Sequence, residues 1–303
     1  MIEIDITEGN REPLPLAITE FFYNDDEENI LKEISTNMRN VMSADLERSG
    51  LFKSINKEAF IQDTESMHLR PRFEDWRLIK AQGLITGDLS LEGDKLRVEF
   101  RLWDTLAEKE IEALVLITTQ DNWRRVSHMI ADKIYERLTG EEGYFDTRIV
   151  YVSEEGPKNK RIKKLAIMDQ DSFNHRFLTS GKELVLTPRF NPVRQEITYL
   201  SYFKNLPRVY LLDIQTGIQE VVGNFPGMTF APRFSPDGNK IIMSLAREGN
   251  SDIYVMDLVT RIVERLTDNP AIDTSPSYSP DGRKITFNSD RGGSQQIYVM
   301  DSN

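Results

Sequence analysis

The chain has 303 residues, with 38 Lys and Arg against 49 Asp and Glu, and a formal net charge of −11. This acidic balance argues against nucleic acid as the main partner, because binding to phosphates uses clustered basic side chains. The chain has no cysteine, which excludes disulfides, thiolate metal sites and cysteine nucleophiles. Its 39% hydrophobic content is ordinary for a globular protein, and its length predicts two domains with buried cores.

The chain contains no apolar run approaching the ~20 residues that span a bilayer, so we expect no membrane insertion. Residues 1–8 alternate isoleucine with acidic residues, and they lack the basic head, apolar core and cleavage site of a signal peptide. Two alternatives follow: the protein is cytoplasmic, or a signal was removed before the numbering begins.

The first half of the chain combines strand and helix patterns. Residues 14–22 predict a strand, and Asn24 followed by Glu27 has the layout of a capping box at the start of a helix. Apolar residues then recur at helical spacing as far as Gly50, which is a typical helix stop. These residues are Ile30, Ile34, Met38, Val41 and Leu46.

Further elements follow in chain order. A short helix is predicted at 73–81, and three strands are predicted at 84–91, 95–103 and 110–118. A second long helix is predicted at 121–138, where apolar residues return after each helical turn. Those residues are Val126, Ile130, Ile134 and Leu138. Helices beside a small sheet predict an N-terminal α/β domain over residues 1–143.

A repeat of 44 residues replaces the helical pattern after Gly143. The sequence Pro-Arg-Phe-Asn-Pro begins at Pro188, Pro-Arg-Phe-Ser-Pro-Asp-Gly begins at Pro232, and Pro-Ser-Tyr-Ser-Pro-Asp-Gly begins at Pro276. Two further sets of residues keep the same interval. They are Tyr210, Tyr254 and Tyr298, for which we predict packing between repeats, and Asp169, Asp213, Asp257 and Asp301, for which we predict hydrogen bonds to backbone N–H groups in turns.

Each repeat predicts four short antiparallel strands. In the repeat around Pro232, these strands are 229–235, 240–245, 253–257 and 262–267, and Pro-Asp-Gly forms the first turn. Four such strands in 44 residues are typical of one blade of a β-propeller. A single blade cannot bury both of its faces, so neighbouring blades must stack around an axis.

The blade count over residues 144–303 is incomplete. We count one blade that lacks its first strand, two complete blades, and one that lacks its last strand. A propeller closes to hide its sheet edges, and about four blades of this pattern do not close. We therefore expect the sequence to be truncated, with C-terminal blades missing.

Three segments resemble the TolB family, the periplasmic component of the Tol-Pal envelope system. Residues 138–152 (Leu-Thr-Gly-Glu-Glu-Gly-Tyr-Phe-Asp-Thr-Arg-Ile-Val-Tyr-Val) are similar to the family's passage into its first blade. Residues 44–52 resemble the end of its first long helix, and residues 254–258 resemble a blade strand. The resemblance covers residues 14–303. It implies a six-bladed propeller, a periplasmic location with the signal peptide removed or omitted, and a monomer.

The resemblance also implies binding sites for two protein partners. The lipoprotein Pal would bind the propeller mouth, at the loops before the first strand of each blade. The family's positions fall on Met228, Thr229, Ala231, Thr274 and Ser275, with Leu186 and Thr187 in the equivalent loop one blade earlier. The chain departs from the family at Met228 and Ser275, where a histidine and an acid are familiar. Without a partner, Thr274 would begin a strand and Met228 would fill a gap between blades.

The second partner implied by the resemblance is TolA, which binds the extreme N-terminus in the family, here residues 1–12. Ile2, Ile4 and Ile6 alternate there with polar residues, so the segment has the pattern of a strand. It could add to an exposed sheet edge of a partner. Alternatively, it pairs with the protein's own N-terminal sheet.

The motifs of catalysis are missing from the sequence. It has no pair of histidines at metal-binding spacing, no Gly-x-Ser-x-Gly elbow and no phosphate-binding Gly-x-x-x-x-Gly-Lys loop. We therefore expect no catalytic residue, no cofactor and no metal site. The leading interpretation is a non-enzymatic adaptor that supports outer-membrane integrity and cell division. One alternative is the propeller of a prolyl-oligopeptidase-like serine peptidase whose hydrolase domain is absent. Another is a propeller scaffold for a different partner.

Overall fold

The computed structural model describes residues 12–24, 28–203, 206–223, 225 and 228–302. Within this range the chain forms two compact units, and the first ends at Thr147. The sequence predicts the domain boundary slightly earlier, at 143. No described helix is long and apolar enough to cross a membrane.

The first unit contains a mixed five-stranded sheet of order β2-β1-β3-β4-β5. Its strands are β1 (Leu14–Ile18), β2 (Phe52–Ser54), β3 (Gly83–Glu92), β4 (Lys95–Asp104) and β5 (Lys109–Thr119). Strand β1 is parallel to both β2 and β3, whereas β3, β4 and β5 are antiparallel. The first predicted strand is shorter than expected, because after Ile18 only an isolated bridge joins Phe22 to Asp88.

The described part of this unit contains four α-helices: α1 (Glu28–Arg48), α2 (Thr64–Leu69), α3 (Phe73–Leu78) and α4 (Trp123–Thr139). The two long helices confirm the sequence prediction. Gly140 ends α4 in the left-handed conformation, with φ of 77°. Helix α2 was not predicted, and it begins where the Asp63 carboxylate accepts from the Ser66 N–H at 2.7 Å. The predicted capping-box residue Glu27 lies outside the described residues.

The core of this unit lies between the sheet and the two long helices. Alternate residues of β4 are buried there with the apolar faces of α1 and α4. Gly87 in β3 allows the close packing, because a Cβ atom at this position would lie 2.3 Å from the Glu99 carbonyl oxygen and 2.6 Å from the Phe21 ring. The alternate buried residues of β4 and the apolar residues spaced at helical intervals in α1 and α4 therefore pack against each other in one layer.

The second unit consists of four antiparallel sheets in chain order. The first sheet contains β6 (Arg148–Glu155), β7 (Ile162–Asp169) and β8 (Arg176–Phe177). The second contains β9 (Val185–Phe190), β10 (Glu196–Phe203), β11 (Leu206–Asp213) and β12 (Gln219–Gly223). The third contains β13 (Met228–Phe234), β14 (Lys240–Arg247), β15 (Asn250–Asp257) and β16 (Val263–Arg265). The fourth contains β17 (Thr274–Tyr278), β18 (Lys284–Ser289) and β19 (Gln296–Asp301). The predicted blade count of three, four, four and three strands is confirmed.

The Ser-Pro-Asp-Gly segments are turns, as predicted. Asp237 Oδ1 accepts from the Ser235 hydroxyl at 2.5 Å and from the Asn239 N–H at 3.1 Å. Asp281 makes the equivalent contacts one sheet later. The glycine after each of these aspartates has positive φ, 69° and 71°, which a residue with a Cβ rarely adopts.

A second repeated turn joins the last two strands of each complete sheet. Asp213 Oδ1 accepts from the Gln215 and Thr216 N–H groups at 2.9 and 2.7 Å. Asp257 Oδ1 accepts from the two equivalent N–H groups at 2.9 and 2.8 Å. The repeated aspartates at these two positions therefore hold turns, as the sequence predicts.

A buried polar pair lies within the first unit. Asp45 Oδ2 in α1 lies 2.5 Å from Nδ1 of His128 in α4, and both side chains are at most 2% exposed. The other carboxylate oxygen of Asp45 accepts from Arg48 Nη1 at 3.0 Å. Buried polar groups of this kind depend on hydrogen bonds to each other, because neither side chain is accessible to water.

We predict that Asp45→Ala lowers the free energy of unfolding by about 3 kcal/mol, because it removes the carboxylate partner of the buried His128 Nδ1. Urea denaturation followed by circular dichroism measures this change. Glu136→Ala is the matched control, since Glu136 forms a 2.9 Å pair with Lys133 on the exposed face of α4. The control should cost less than about 0.5 kcal/mol. Equal losses in both variants would contradict the assigned role of the buried pair.

The repeated turns also predict how stability depends on pH. The hydroxyl of the serine two residues earlier lowers the pKa of Asp237 and likewise of Asp281. A carboxyl whose folded pKa lies below its unfolded value of ~3.9 stabilises the fold above that pH, and its contribution is lost as the pH falls through the folded pKa. The parent chain should therefore lose more stability between about pH 5 and about pH 3 than the double variant Asp237→Asn/Asp281→Asn.

Denaturation curves at each pH test this expectation. The control is Asp94→Asn, which changes an exposed carboxyl in the turn between β3 and β4. The control should follow the parent profile. A double variant with the parent's full acid sensitivity would show that these turns do not contribute.

Candidate partner-binding rim

The residues predicted from the sequence to bind Pal lie at the beginnings of three equivalent strands. We call these seven residues the rim: Leu186 and Thr187 in β9, Met228, Thr229 and Ala231 in β13, and Thr274 and Ser275 in β17. Each of these strands is the edge of its sheet, and β13 contacts both β9 and β17. The rim positions therefore occupy equivalent places in three edge strands, of which β13 contacts the other two.

The rim residues belong to strands, although resemblance to the family implies that they lie in loops. For Thr229 and Ala231 this agrees with the strand that the repeat predicts at 229–235. Met228 pairs with Ala246 and Thr229 pairs with Leu245 in the backbone ladder, so β13 begins earlier than the loop interpretation allows. Thr274 likewise pairs with Asn288. In each sheet the neighbouring strand extends as far as the rim, so rim residues pair with it through the backbone ladder.

A β-bulge interrupts each of the three strands at the same place. Two residues of the edge strand lie opposite one residue of its neighbour, and the second of the two is always proline. The pairs are Thr187-Pro188, Ala231-Pro232 and Ser275-Pro276. Proline has no N–H group to contribute to the ladder, so a bulge is where a strand accommodates it. The repeated proline in the sequence is therefore the signal for the bulges.

Two of the rim residues have an uncommon backbone conformation. Thr187 has φ of 48° and Ser275 has φ of 55°, although neither is glycine. Both side chains are exposed, while those of Leu186 and Thr274 are half-buried. Such conformations cost about 1–3 kcal/mol each and persist only where the surroundings hold them. The bulge thus turns one side chain of the rim outward at each of these two strands.

Buried polar contacts hold the beginning of β17 in place. The Asp273 backbone N–H donates to the Ser251 carbonyl at 2.7 Å, and the Ser251 hydroxyl donates to the Asp273 carbonyl at 3.0 Å. The Asp273 carboxylate, which is fully buried, accepts from Arg291 Nη2 at 2.8 Å. The Ser275 N–H donates to the buried Ser244 hydroxyl at 3.1 Å. The rim position with positive φ is therefore fixed by its neighbours on both sides.

Arginines support the aromatic residues of the repeat near this end of the sheets. The Arg291 guanidinium lies 5.0 Å from the ring centres of Phe287 and Tyr298. Arg247, 44 residues earlier, lies 5.2 Å from the ring of Tyr254. The sequence pattern did not predict these arginines or Asp273 as residues that support the rim. The signal that could have identified the two arginines is the repeat interval, since Arg247 and Arg291 are separated by the same distance in sequence as Tyr254 and Tyr298.

The structure leaves part of the predicted site undescribed. The backbone of Met228, Thr229 and Ala231 is placed in β13, but their side chains lie outside the described part. Ile2, Ile4 and Ile6 of the predicted TolA-binding segment also lie outside it. These assignments therefore stay predictions.

Both histidines with described side chains have packing partners. His128 contacts Asp45 in the buried pair given above. His175 lies in the second unit, where its ring centre is 5.0 Å from that of Phe177 and 6.1 Å from that of Tyr151.

The architecture of an α/β unit followed by antiparallel blade sheets defines a two-domain protein of the β-propeller class. Comparison with known protein families identifies the family within this class. Residues 2–111 match the TolB amino-terminal domain, and residues 135–303 match the TolB beta propeller domain. The chain belongs to the TolB family. The match to the amino-terminal domain also favours this family over the peptidase alternative, which does not predict that domain.

Individual relatives agree with the family match. The Tol-Pal system protein TolB of Pelagibacter ubique (strain HTCC1062) is 66% identical over 237 residues, which cover 76% of this chain and 53% of that protein. The protein of the same name from Paramagnetospirillum magneticum is 56% identical over 76% of this chain and 51% of its own length. The chain thus spans about half the length of these curated relatives.

A solved structure supports the fold. The crystal structure of TolB from Acinetobacter baumannii matches with a TM-score of 0.82 at 31% identity. The match covers 99% of this chain and 72% of that one. The prediction of an α/β domain followed by propeller blades is thereby confirmed.

Proposed function

We propose that the chain is part of a non-enzymatic periplasmic adaptor of the Tol-Pal system, which binds the lipoprotein Pal at the rim and TolA through its N-terminal segment. In this role it supports outer-membrane integrity and cell division by binding, without turnover of a substrate. The protein acts as a monomer in this proposal, and the binding of each partner is a separate event.

One observation carries the Pal assignment: the positions implied by resemblance to the TolB family coincide with the bulged beginnings of three converging strands. Bulges are common next to functional sites, where they redirect side chains out of a regular sheet. Thr187 and Ser275 are exposed in the left-handed region, and the contacts around Asp273 hold the second of them rigidly. A surface position that is ordered before binding, as Ser275 is, loses little conformational entropy when a partner docks.

The chemistry of the rim suits a protein partner. Its seven residues carry no charge, and they combine hydroxyl groups with apolar side chains. Such a surface makes hydrogen bonds and apolar contacts without the desolvation of charged groups. Met228 adds an unbranched apolar side chain at the position where the family has a histidine, and methionine adapts readily to a binding surface.

The TolA assignment depends on the sequence of residues 1–12. Ile2, Ile4 and Ile6 alternate with Glu3, Asp5 and Thr7, which is the pattern of a strand with one apolar face. An extended segment of this kind binds by adding to a sheet edge, where its backbone supplies hydrogen bonds and its alternate side chains supply specificity.

We predict that Thr274→Ile weakens binding to purified Pal at least tenfold, because a branched apolar side chain replaces a hydroxyl-bearing one at a rim position of β17. The fold should be retained, since the Thr274 side chain is only half-buried. Isothermal titration calorimetry measures the affinity. Thr260→Ile makes the same change in an exposed turn at the opposite end of the third sheet, and it should bind like the parent chain. Equal affinities for Pal in both variants would remove Thr274 from the contact.

We predict that deletion of residues 1–11 abolishes binding to TolA and leaves the affinity for Pal within twofold. The deletion removes all three isoleucines of the segment, and β1 begins only at Leu14. Surface-bound TolA and Pal, each titrated with parent and deleted chains, give the two affinities. Retained TolA binding would contradict the assignment, and loss of both activities would point to misfolding, which circular dichroism detects.

A further inference from the structure

Two arginines occupy the same position in neighbouring edge strands of the second unit. The sequence Pro-Arg-Phe occurs at 188–190 in β9 and at 232–234 in β13, so Arg189 and Arg233 are one repeat interval apart. Strands β9 and β13 contact each other along the converging edges. The equivalent residue of the next edge strand, β17, is Ser277. Of the three described edge strands that begin with this motif, only β9 and β13 therefore carry the arginine.

The ladder register separates these arginines from the apolar core. Phe190 pairs with Ile197 and packs into an apolar cluster, and Phe234 pairs with Ile241 and is buried in another. Because successive side chains of a strand point to opposite faces, Arg189 and Arg233 point away from the clusters of their phenylalanine neighbours. Arg189 is exposed, while Arg233 is half-buried.

Two polar groups near the arginine pair have no hydrogen-bond partner in the described part of the chain. Within the described residues, Arg233 Nε is buried and has no acceptor. Arg189 Nη1 donates to the Pro188 carbonyl at 3.1 Å, which is a contact within its own strand. Thr198 pairs with Arg189 across the ladder, is fully buried, and has a hydroxyl group with no partner among the described residues. Buried donors without acceptors are costly and uncommon in native proteins.

The charges around Arg233 are unbalanced as well. Burial and, after it, the positive charge of Arg189 lower the pKa of Arg233. Among the described residues, no carboxylate contributes in the opposite direction. This lack of compensation is unexpected in a chain with a formal net charge of −11, where acids outnumber bases. Two like charges without an acid between them repel each other, and a bound negative group would relieve that repulsion.

We propose that Arg189 and Arg233 form a binding site for a small oxyanion, either a carboxylate or a phosphate. Guanidinium groups suit this chemistry, because their planar N–H donors match the paired oxygens of both anions. The buried Nε of Arg233, which has no acceptor among the described residues, supplies one donor, and the guanidinium of the exposed Arg189 supplies others. The anion is either a free phosphate or an acidic side chain of a polypeptide. The proposed site uses no residue of the rim and none of the N-terminal segment.

Titration of the 303-residue chain with two probes tests the proposal. The probes are inorganic phosphate and a capped tetraglutamate peptide, each added at constant ionic strength, since screening alone changes the interaction of like charges. Thermal unfolding and the NMR signals of arginine Nε–H groups report binding. We expect saturable stabilisation by at least one probe, with a selective shift of the Arg233 signal. Phosphate alone would indicate a free oxyanion, and the peptide alone would indicate a polypeptide carboxylate.

Three variants locate the site. Arg189→Gln and Arg233→Gln should each weaken probe binding at least tenfold, whereas the control Arg283→Gln, at an exposed arginine in the Pro-Asp-Gly turn, should bind like the parent. In chloride without the probes, Arg189→Gln should unfold at a higher temperature than the parent, because it removes the repulsion. Arg189 is exposed, so this variant remains informative if Arg233→Gln does not fold. No saturable binding, or equal binding in the parent and Arg189→Gln, would overturn the proposal.

Discussion

The second unit depends on the stacking of its sheets, because an antiparallel sheet with two apolar faces cannot bury both by itself. One cluster joins Leu200 and Val209 of the second sheet to Ile241 and Met243 of the third. Another joins Ile242 of the third to the fourth. Where no described sheet covers a face, apolar side chains stay exposed, as Ile297 of β19 does at 75%. Burial of this area is the main favourable term in the stability of the unit.

Stacking has a geometric consequence at the edges of the sheets. Sheets that pack face to face around an axis bring their first strands together, so residues at equal positions of the repeat become neighbours although they are 44 residues apart. Stacking thereby places Arg189 and Arg233 in neighbouring edge strands, and it places the bulges that end in proline at equivalent positions of those strands. Each copy of the repeated motif thus carries rim positions before its first proline, and in two copies an arginine of the charged pair directly after that proline. The chain does not need separate motifs for the two features.

Polar groups in the two units are placed where local turns or buried partners hold them. The aspartates of the repeat accept backbone hydrogen bonds in exposed turns, which fixes strand direction at little cost. Asp45 and Asp273 are different, since each is buried and depends on a basic or imidazole partner on another element. These buried contacts specify how elements meet, and a partner's absence would leave a desolvated charge.

The sequence alone determined what depends on short-range spacing. The two long helices, the three antiparallel strands of the first unit and the 44-residue repeat follow from apolar periods and turn residues that act within a few positions. Only the tertiary structure decided what depends on distant partners. His128 meets Asp45 across 83 residues, and β1 pairs in parallel with two strands from later in the chain. Each of these contacts is selected by packing after the elements form, and no local pattern encodes it.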